Sequence, residues 1–551
     1  MGCFHAIKFF SCLKAKKKII AKNHFEKKRK SGITFRLHIP YKAMLKRLLL
    51  LILIILPLSC HQKSTQPQKT LKICFNRDPL TIDPLKCGDF ASSTLIFLIY
   101  NGLTTLNPDG SISMALAKSV DISSDKKTYV FHLKDVTWSD GVKITAYDFE
   151  KSWKKIIDPK LPGLSAYLFY CIKNVEKIVK KEMSISEAGF FAKDENTFVV
   201  NLEYPTPYFL SLISFCAFFP KPSHTNIPVY SGPFTLQKWQ KNTEILLSKN
   251  HMFWNKNEVK ISHINIIIIH DENTALQMYE KGQIDLLSSF LSPFPLDSIK
   301  YLSKINFFPI AATSICVFNT KVFPFNNANM RKAFSYAINR EDIVNNISQL
   351  KENIATSLIP PVINNSYNQQ LYSPTLAKQY FTKALKELKI SPQDLIITFL
   401  YSTNTLHKKQ AETIQQNWQK FFNVKIILCQ LDEKNMTEKF HQKNFQIGLR
   451  TIIAQYADPM SILERFKYQN QSKNFSSWEN SKFIKLLDLS YTSYKRHKIL
   501  NEAEKILLKE MPIAPIYHFN YAVITHPYVK NVCVGPIGDL HYDKIYLEQE
   551  L

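Results

Sequence analysis

Glycine is scarce in this chain, 13 of 551 residues, and neither of the phosphate-cradling loops G-x-x-x-x-G-K-[ST] and G-x-G-x-x-G occurs. Nucleotide sites of those two kinds are excluded. The nucleophile elbow G-x-S-x-G and the zinc signature H-E-x-x-H are missing too. The 15 histidines are scattered without ligand spacing, and the 10 cysteines contain no C-x-x-C. Beyond Cys60 seven cysteines remain: Cys74, Cys87, Cys171, Cys216, Cys316, Cys429 and Cys533. An odd number at wide spacing supports neither a zinc site nor a full disulfide framework. One or two disulfides stay open in an exported chain. His270-Asp271-Glu272 reads as a solvated strand end, and the near-neighbour carboxylates Asp121/Asp125 and Asp432/Glu433 read as surface pairs. No residue set nominates a catalyst, a metal or a cofactor, so the chain is read as a non-enzyme.

Acidic residues are nearly missing from the first 59 positions. Fourteen Lys and Arg stand there against Glu26 alone, so half of the formal charge of +26 sits in this segment. The Lys14–Lys18 and Lys27–Lys30 clusters have the look of a nucleic-acid arm, but the sequence that follows argues for export and against nucleic acid. From Met44 it runs MLKRLLLLILIILPLSC. Lys46 and Arg47 precede the apolar run Leu48–Leu56, which is too short to span a bilayer as a helix and fits a secretory signal. Ser59 before Cys60 resembles a bacterial lipobox, with Pro57 where Leu is usual. Cys60 is the expected lipid attachment, and Met44 is the expected translation start. His61–Thr70 is polar and suits a flexible tether.

Hydrophobic residues make up 45% of the chain and aromatics 13%, a globular composition. The length predicts two or three domains. Leu71–Phe75 reads as a strand, and Ser92–Tyr100 as an apolar helix ending at Asn101-Gly102. Thr145 and Asp148 have capping-box spacing, with Phe149, Trp153, Ile156 and Ile157 on one helical face. Strands are predicted at Tyr129–Leu133, Phe198–Leu202, Ile315–Phe318 and Pro515–Phe519, with a strand pair from Ser231 to Leu247. The isoleucine-rich run Ile264–Ile269 predicts a strand buried on both faces. Met330, Ala333, Phe334, Ala337 and Ile338 predict one amphipathic helix over Asn329–Ile347. Helix then alternates with strand: Leu376–Leu388 before Leu395–Tyr401, and His407–Phe421 before Val424–Cys429. A helix at Glu433–Gln442 leads to the run Leu449–Ala454, stopped by Gln455-Tyr456-Ala457-Asp458-Pro459. The class is α/β with mixed sheets.

Several of these segments occur in one order: Asp78-Pro79 with Asp83-Pro84, Trp138-Ser139-Asp140-Gly141 with Thr145-Ala146-Tyr147-Asp148-Phe149, Ser231-Gly232-Pro233-Phe234, Gly282-Gln283-Ile284-Asp285, Met330–Arg340 and Tyr456-Ala457-Asp458-Pro459. Over residues 71 to 545 the set resembles the oligopeptide-binding proteins of bacterial ABC importers, the family 5 extracytoplasmic solute-binding proteins. The resemblance implies a two-lobed periplasmic-binding-protein-like fold with a hinge and an extra third domain. Lobe one would take 71–100, 225–314 and 515–551, the extra domain 101–224, and lobe two 315–514. A peptide would lie between the lobes, held as an added strand. The partners implied are the peptide, the permease subunits in the inner membrane, and the membrane itself through the lipid anchor, with the protein a periplasmic monomer.

The resemblance also implies site residues. Thr451, Ile452, Ile453 and Ala454 would pair with the ligand, facing Gly88-Asp89-Phe90, with Gln455, Tyr456 and Asp458 at the turn. The family usually has an aspartate where Gln455 stands, gripping the peptide's α-ammonium. With an amide there, either Asp89 or Asp458 supplies the charge, or the ligand has no free α-ammonium in the usual place. Arg450 could meet a carboxylate, or be an exposed structural arginine on the opposite strand face from Gln455. The expected cargo is an oligopeptide. The alternatives are the same fold with an N-blocked or cell-wall peptide, a dipeptide or haem, or an exported hydrolase or adhesin lipoprotein.

Overall fold

The computed structural model describes residues 70–163, 165–291, 294, 304–364 and 372–548. The signal-like segment, Cys60 and nearly all of the tether lie outside them. Among the described residues no helix is long and apolar enough to cross a membrane, and all seven cysteines are free thiols.

The backbone of the fold is one eleven-stranded mixed sheet among the described residues. Its order is Lys425–Leu431, Ile396–Ser402, Ile447–Ile453, Ile305–Phe318, Ile513–Thr525, Leu286–Ser288, Thr70–Phe75, His263–Ile268, Glu244–Lys249 and Phe234–Gln240, with Asn353–Ile354 paired off the path to Ile513–Thr525. The two long antiparallel strands in the middle exceed the short pieces expected at Ile315–Phe318 and Pro515–Phe519. Their polar positions, among them Thr313, Ser314, His518 and Asn520, are buried, which hides the strand signal from a search for apolar runs.

The ladder between these strands runs from Ile305↔Ile524 to Val317↔Ile513, with a register shift between Pro309 and Thr313. Ala311, set free by that shift, donates to Pro536 O at 2.6 Å, and its carbonyl accepts from Ala454 N at 2.8 Å. A bulge of this kind re-aims a strand and leaves backbone groups for new partners. Here the new partners are the chain after Ile453 and the chain near the C-terminus.

Residues 101–224 include a four-stranded antiparallel sheet, Ala117–Ile122, Thr128–Leu133, Thr197–Asn201 and Phe190–Ala192. Helix Ala146–Ile156 packs on it. Its capping box is formed: Asp148 accepts from Thr145 N at 2.9 Å. Trp153 is fully buried and meets Phe169, Phe190, Phe198 and Phe218 edge-on at 4.9–5.4 Å. Each such side chain stabilises the fold by about 1.5–3 kcal/mol through burial.

Two expectations need correction. Strand His263–Ile268 buries Ile264, Ile266 and Ile268 on one face only, while His263, Asn265 and Ile267 share a half-buried face. Period two places the polar His263 and Asn265 together on that partly exposed face. The helix expected over Asn329–Ile347 is broken into Ala328–Tyr336 and a second piece from Arg340. Asn339 is extended and caps the second piece, accepting from Asp342 N at 3.2 Å. Buried Arg340 donates to carbonyls at the break, Ser335 O at 3.2 Å and Ile338 O at 3.1 Å, together with Pro515 O at 2.6 Å. The apolar spacing alone cannot register a buried guanidinium that replaces helical hydrogen bonds.

Candidate binding cleft

Helix Phe90–Ile99 begins at Asp89, whose carboxylate accepts from Ser92 N at 3.0 Å and from Ser92 Oγ at 2.5 Å. The helix ends against the turn at Ser231-Gly232. A Cβ on Gly232 would lie 2.6 Å from the Ile99 carbonyl carbon and the Tyr100 nitrogen, so this close passage requires glycine. The start of the helix and the end of strand Ile447–Ile453 line one cavity of about 740 Å³.

Of the residues expected at the site, Gly88, Asp89, Phe90, Thr451, Ile453 and Gln455 line this cavity. Arg450, Ile452, Tyr456 and Asp458 do not. The division follows strand alternation: Thr451 and Ile453 share the cavity side, and Arg450 and Ile452 the other. Arg450 pairs with Glu433 at 3.0 Å and lies over the rings of Phe440 and Phe475. Ile452 is in the core. Tyr456 is buried and stacked on Tyr208, with centroids 4.8 Å apart and planes 10° apart. Asp458 receives both Arg496 nitrogens, Nη1 at 2.9 Å and Nη2 at 2.7 Å, in a buried bidentate pair.

Gln455 sits at the seam of three segments. Its backbone N–H donates to Ser461 Oγ at 2.7 Å, and its side-chain carbonyl accepts from the hydroxyl of Tyr167. Burial pushes the Tyr167 phenol up to about 12, so it remains a donor at ordinary pH. Arg465 holds the same turn, with Nε on Ser461 O at 3.0 Å and Nη2 on Ile453 O at 2.5 Å.

Charged residues outside the expected set also line the cavity. Arg465, Lys473 and His441 come from the chain around the turn, and Asp539, His541 and Asp543 from the segment that bonds Ala311. Gly535 lets Asp539 approach: a Cβ there would meet Asp539 Oδ1 at 2.4 Å. His541 Nε2 lies 3.0 Å from Asp539 and Nδ1 3.9 Å from Asp543. Burial opposes its charge, but Asp539 and then Asp543 outweigh it and raise the imidazole above its ordinary value. The spacing Asp539, His541, Asp543 is a strand-like alternation that could have flagged one polar face. Arg465 and Lys473 carry no such signal, because only the tertiary turn brings them to the cleft. No group of three or more His, Cys, Asp or Glu among the described residues is arranged to hold a metal.

A family model described as bacterial extracellular solute-binding proteins, family 5 Middle, matches residues 111–474. The chain is 32% identical over 513 residues to the oligopeptide-binding protein OppA of Bacillus subtilis, covering 88% of this chain and 94% of that protein. It is 30% identical over 503 residues to the dipeptide-binding protein DppE of the same organism, covering 87% and 92%. Among solved structures, OppA of Listeria monocytogenes bound to peptide superposes with a TM-score of 0.77 at 26% identity, over 88% of this chain and 100% of that one. The α/β architecture with mixed sheets is the two-lobed fold of these structures.

Proposed function

Because the chain belongs to the family 5 bacterial extracellular solute-binding proteins, we propose that it captures oligopeptides in the cleft and delivers them to the permease of an ABC importer. The observation that carries this is the cleft wall itself. Thr451, Ile453, Ala454 and Gln455 present a strand end to a cavity of about 740 Å³ that Gly88, Asp89 and Phe90 also line. An extended peptide can add to such a strand, its main chain supplying affinity and its side chains little selectivity. The volume falls within the range of roughly 300–1,000 Å³ usual for enclosed ligands.

The ladder interruption at Ile310–Ala312 is where we place the hinge, within the two long strands shared by lobe one (71–100, 225–314, 515–551) and lobe two (315–514). The extra domain, 101–224, would add Tyr167 to the closed cleft. The protein would act as a periplasmic monomer, tethered through a lipid on Cys60. Metabolic labelling with palmitate that persists in Cys60→Ala would remove the anchor from this reading.

A second cargo reading has its own observation. Gln455 brings no charge and Asp458 is consumed by Arg496, so a ligand whose ammonium is blocked or elsewhere also fits. Mass spectrometry of the purified protein for retained peptide, with thermal shifts against free, N-blocked and cell-wall-derived peptides, separates the two. No shift with any peptide would sink both.

A further inference from the structure

Arg465 and Lys473 are cations of the cleft wall that have no carboxylate hydrogen-bonded to them. Arg465 gives Nε and Nη2 to the neutral carbonyls Ser461 O and Ile453 O, and among the described residues nothing accepts from Nη1. Its chain neighbour Glu464 makes a poor counter-ion, because burial raises that carboxyl to about 7. The backbone carbonyl of Lys473 accepts from Phe475 N at 3.1 Å, but its ammonium makes no hydrogen bond or ion pair among the described residues. Its side chain keeps an accessible surface, yet loss of solvent around the ammonium, then the charges of Arg465 and Arg450, pull it down to about 8. Arg450 itself is already neutralised by Glu433 and stands on the far side of the strand.

Neutral donors accompany the two cations. Thr437, Thr451 and Ser472 bring hydroxyls to the same wall, and His441 is held below its usual value by burial, Lys473, Lys443 and Arg450. The carboxylates of the cleft, Asp89, Asp539 and Asp543, come from other segments, 87–90 and 537–543. Gly538 packs against Phe90 and joins those two segments. The cleft is thus divided by charge. Holding the turn explains two of the Arg465 nitrogens. It explains neither the third nor Lys473.

Resting on the peptide reading above, we propose that Arg465 and Lys473 form an anion-receiving pole next to Gln455, which binds a free carboxylate of the ligand. Neither cation has a carboxylate partner and the charge of Arg465 opposes that of Lys473, so a carboxylate relieves that repulsion while accepting from both. The end of the ligand read at this turn is therefore acidic. An ammonium of the same ligand is directed towards the Asp89 and Asp539 segments. A blocked amine is tolerated and a blocked carboxylate is not.

The test is calorimetric titration at pH 7 with tri- and pentaalanine in three forms: free at both ends, N-acetylated, and C-amidated. The free and acetylated forms are expected to bind within a few-fold of each other, and the amides about tenfold or more weaker. Lys473→Gln, which breaks no side-chain hydrogen bond or ion pair among the described residues, is expected to weaken the free acids by about tenfold while leaving the amides as in the wild type. Arg465→Lys is expected to do the same while keeping a donor for the turn. Equal affinity for acid and amide, or loss in Lys473→Gln that is the same for both, overturns the anion pole alone. Failure of all six probes to bind overturns the peptide reading and the pole with it.

Discussion

The hydroxyl of Tyr167 donates a hydrogen bond to the side-chain carbonyl of Gln455, joining residues 288 positions apart. That contact takes one of the two acceptor sites of the Gln455 amide oxygen. It also ties the segment 101–224 to the end of the central cleft strand, beside the stack of Tyr208 on Tyr456 and the bond from Ala457 N to Ser211 Oγ at 3.1 Å.

Gln455→Asp puts a carboxylate between Tyr167 and Arg465. The variant is expected to bind C-amidated, free-amine peptides about tenfold more tightly and free-acid peptides more weakly, because the new carboxylate attracts an ammonium and repels a carboxylate. Calorimetry with the paired peptides measures both directions. Unchanged affinities would mean that position 455 reads neither end.

Asp458→Asn leaves Arg496 buried and charged without its partner. The expected loss is about 3–5 kcal/mol of folding stability, read as a lower urea midpoint at constant slope, with affinity per folded molecule unchanged. Adding Arg496→Met should restore most of it. A variant as stable as the wild type would contradict the buried bidentate pair.

Glu504 is fully buried, and one oxygen accepts from Leu358 N at 2.7 Å and Ile359 N at 2.9 Å while the other has no hydrogen-bond partner among the described residues. Burial outweighs those two bonds and raises the carboxyl to about 7. A folded value above the unfolded one means that the native state holds the extra proton. Its contribution is fully present below about pH 4.5 and is lost as pH rises to about 7. His407 and His518, both pulled down to about 4 by burial, act in the opposite sense, losing stability as pH falls from 6.5. The difference between wild type and Glu504→Gln isolates the glutamate. The variant is expected to gain on the order of 3 kcal/mol relative to wild type between pH 4.5 and 8, followed by denaturant titration at each pH. A pH-independent difference would exclude this.

Gly232→Ala would force a Cβ into the backbone of Ile99 and Tyr100 at 2.6 Å. Backbone on both sides cannot swing away as a side chain would, so the cost is expected to be about 1–3 kcal/mol. The thermal midpoint should fall accordingly. An unchanged midpoint would show that the helix end can move.

Much of the fold was legible in advance because the sequence carries short-range signals. Thr145 with Asp148 cap a helix, and Phe149 and Trp153 mark its buried face. The helix-strand alternation from Pro374 to Ile453 is written in spacing that needs no partner to interpret. The two central strands were legible only in part. Buried polar residues there meet distant groups, as Thr313 meets Leu358 O at 2.8 Å, and no local pattern reports such a partner.

The cleft divides in the same way. The order of motifs determined the architecture and the strand that lines the cavity, and period two determined which side chains of that strand face it. Only the tertiary structure decided that Asp458 belongs to Arg496, that Gln455 is held by Tyr167, and that Arg465 and Lys473 reach the wall. A backbone turn and an apolar face are local properties of a chain. Charge neutralisation is not, because it depends on which groups folding brings within a few ångströms, and those come from segments hundreds of residues apart.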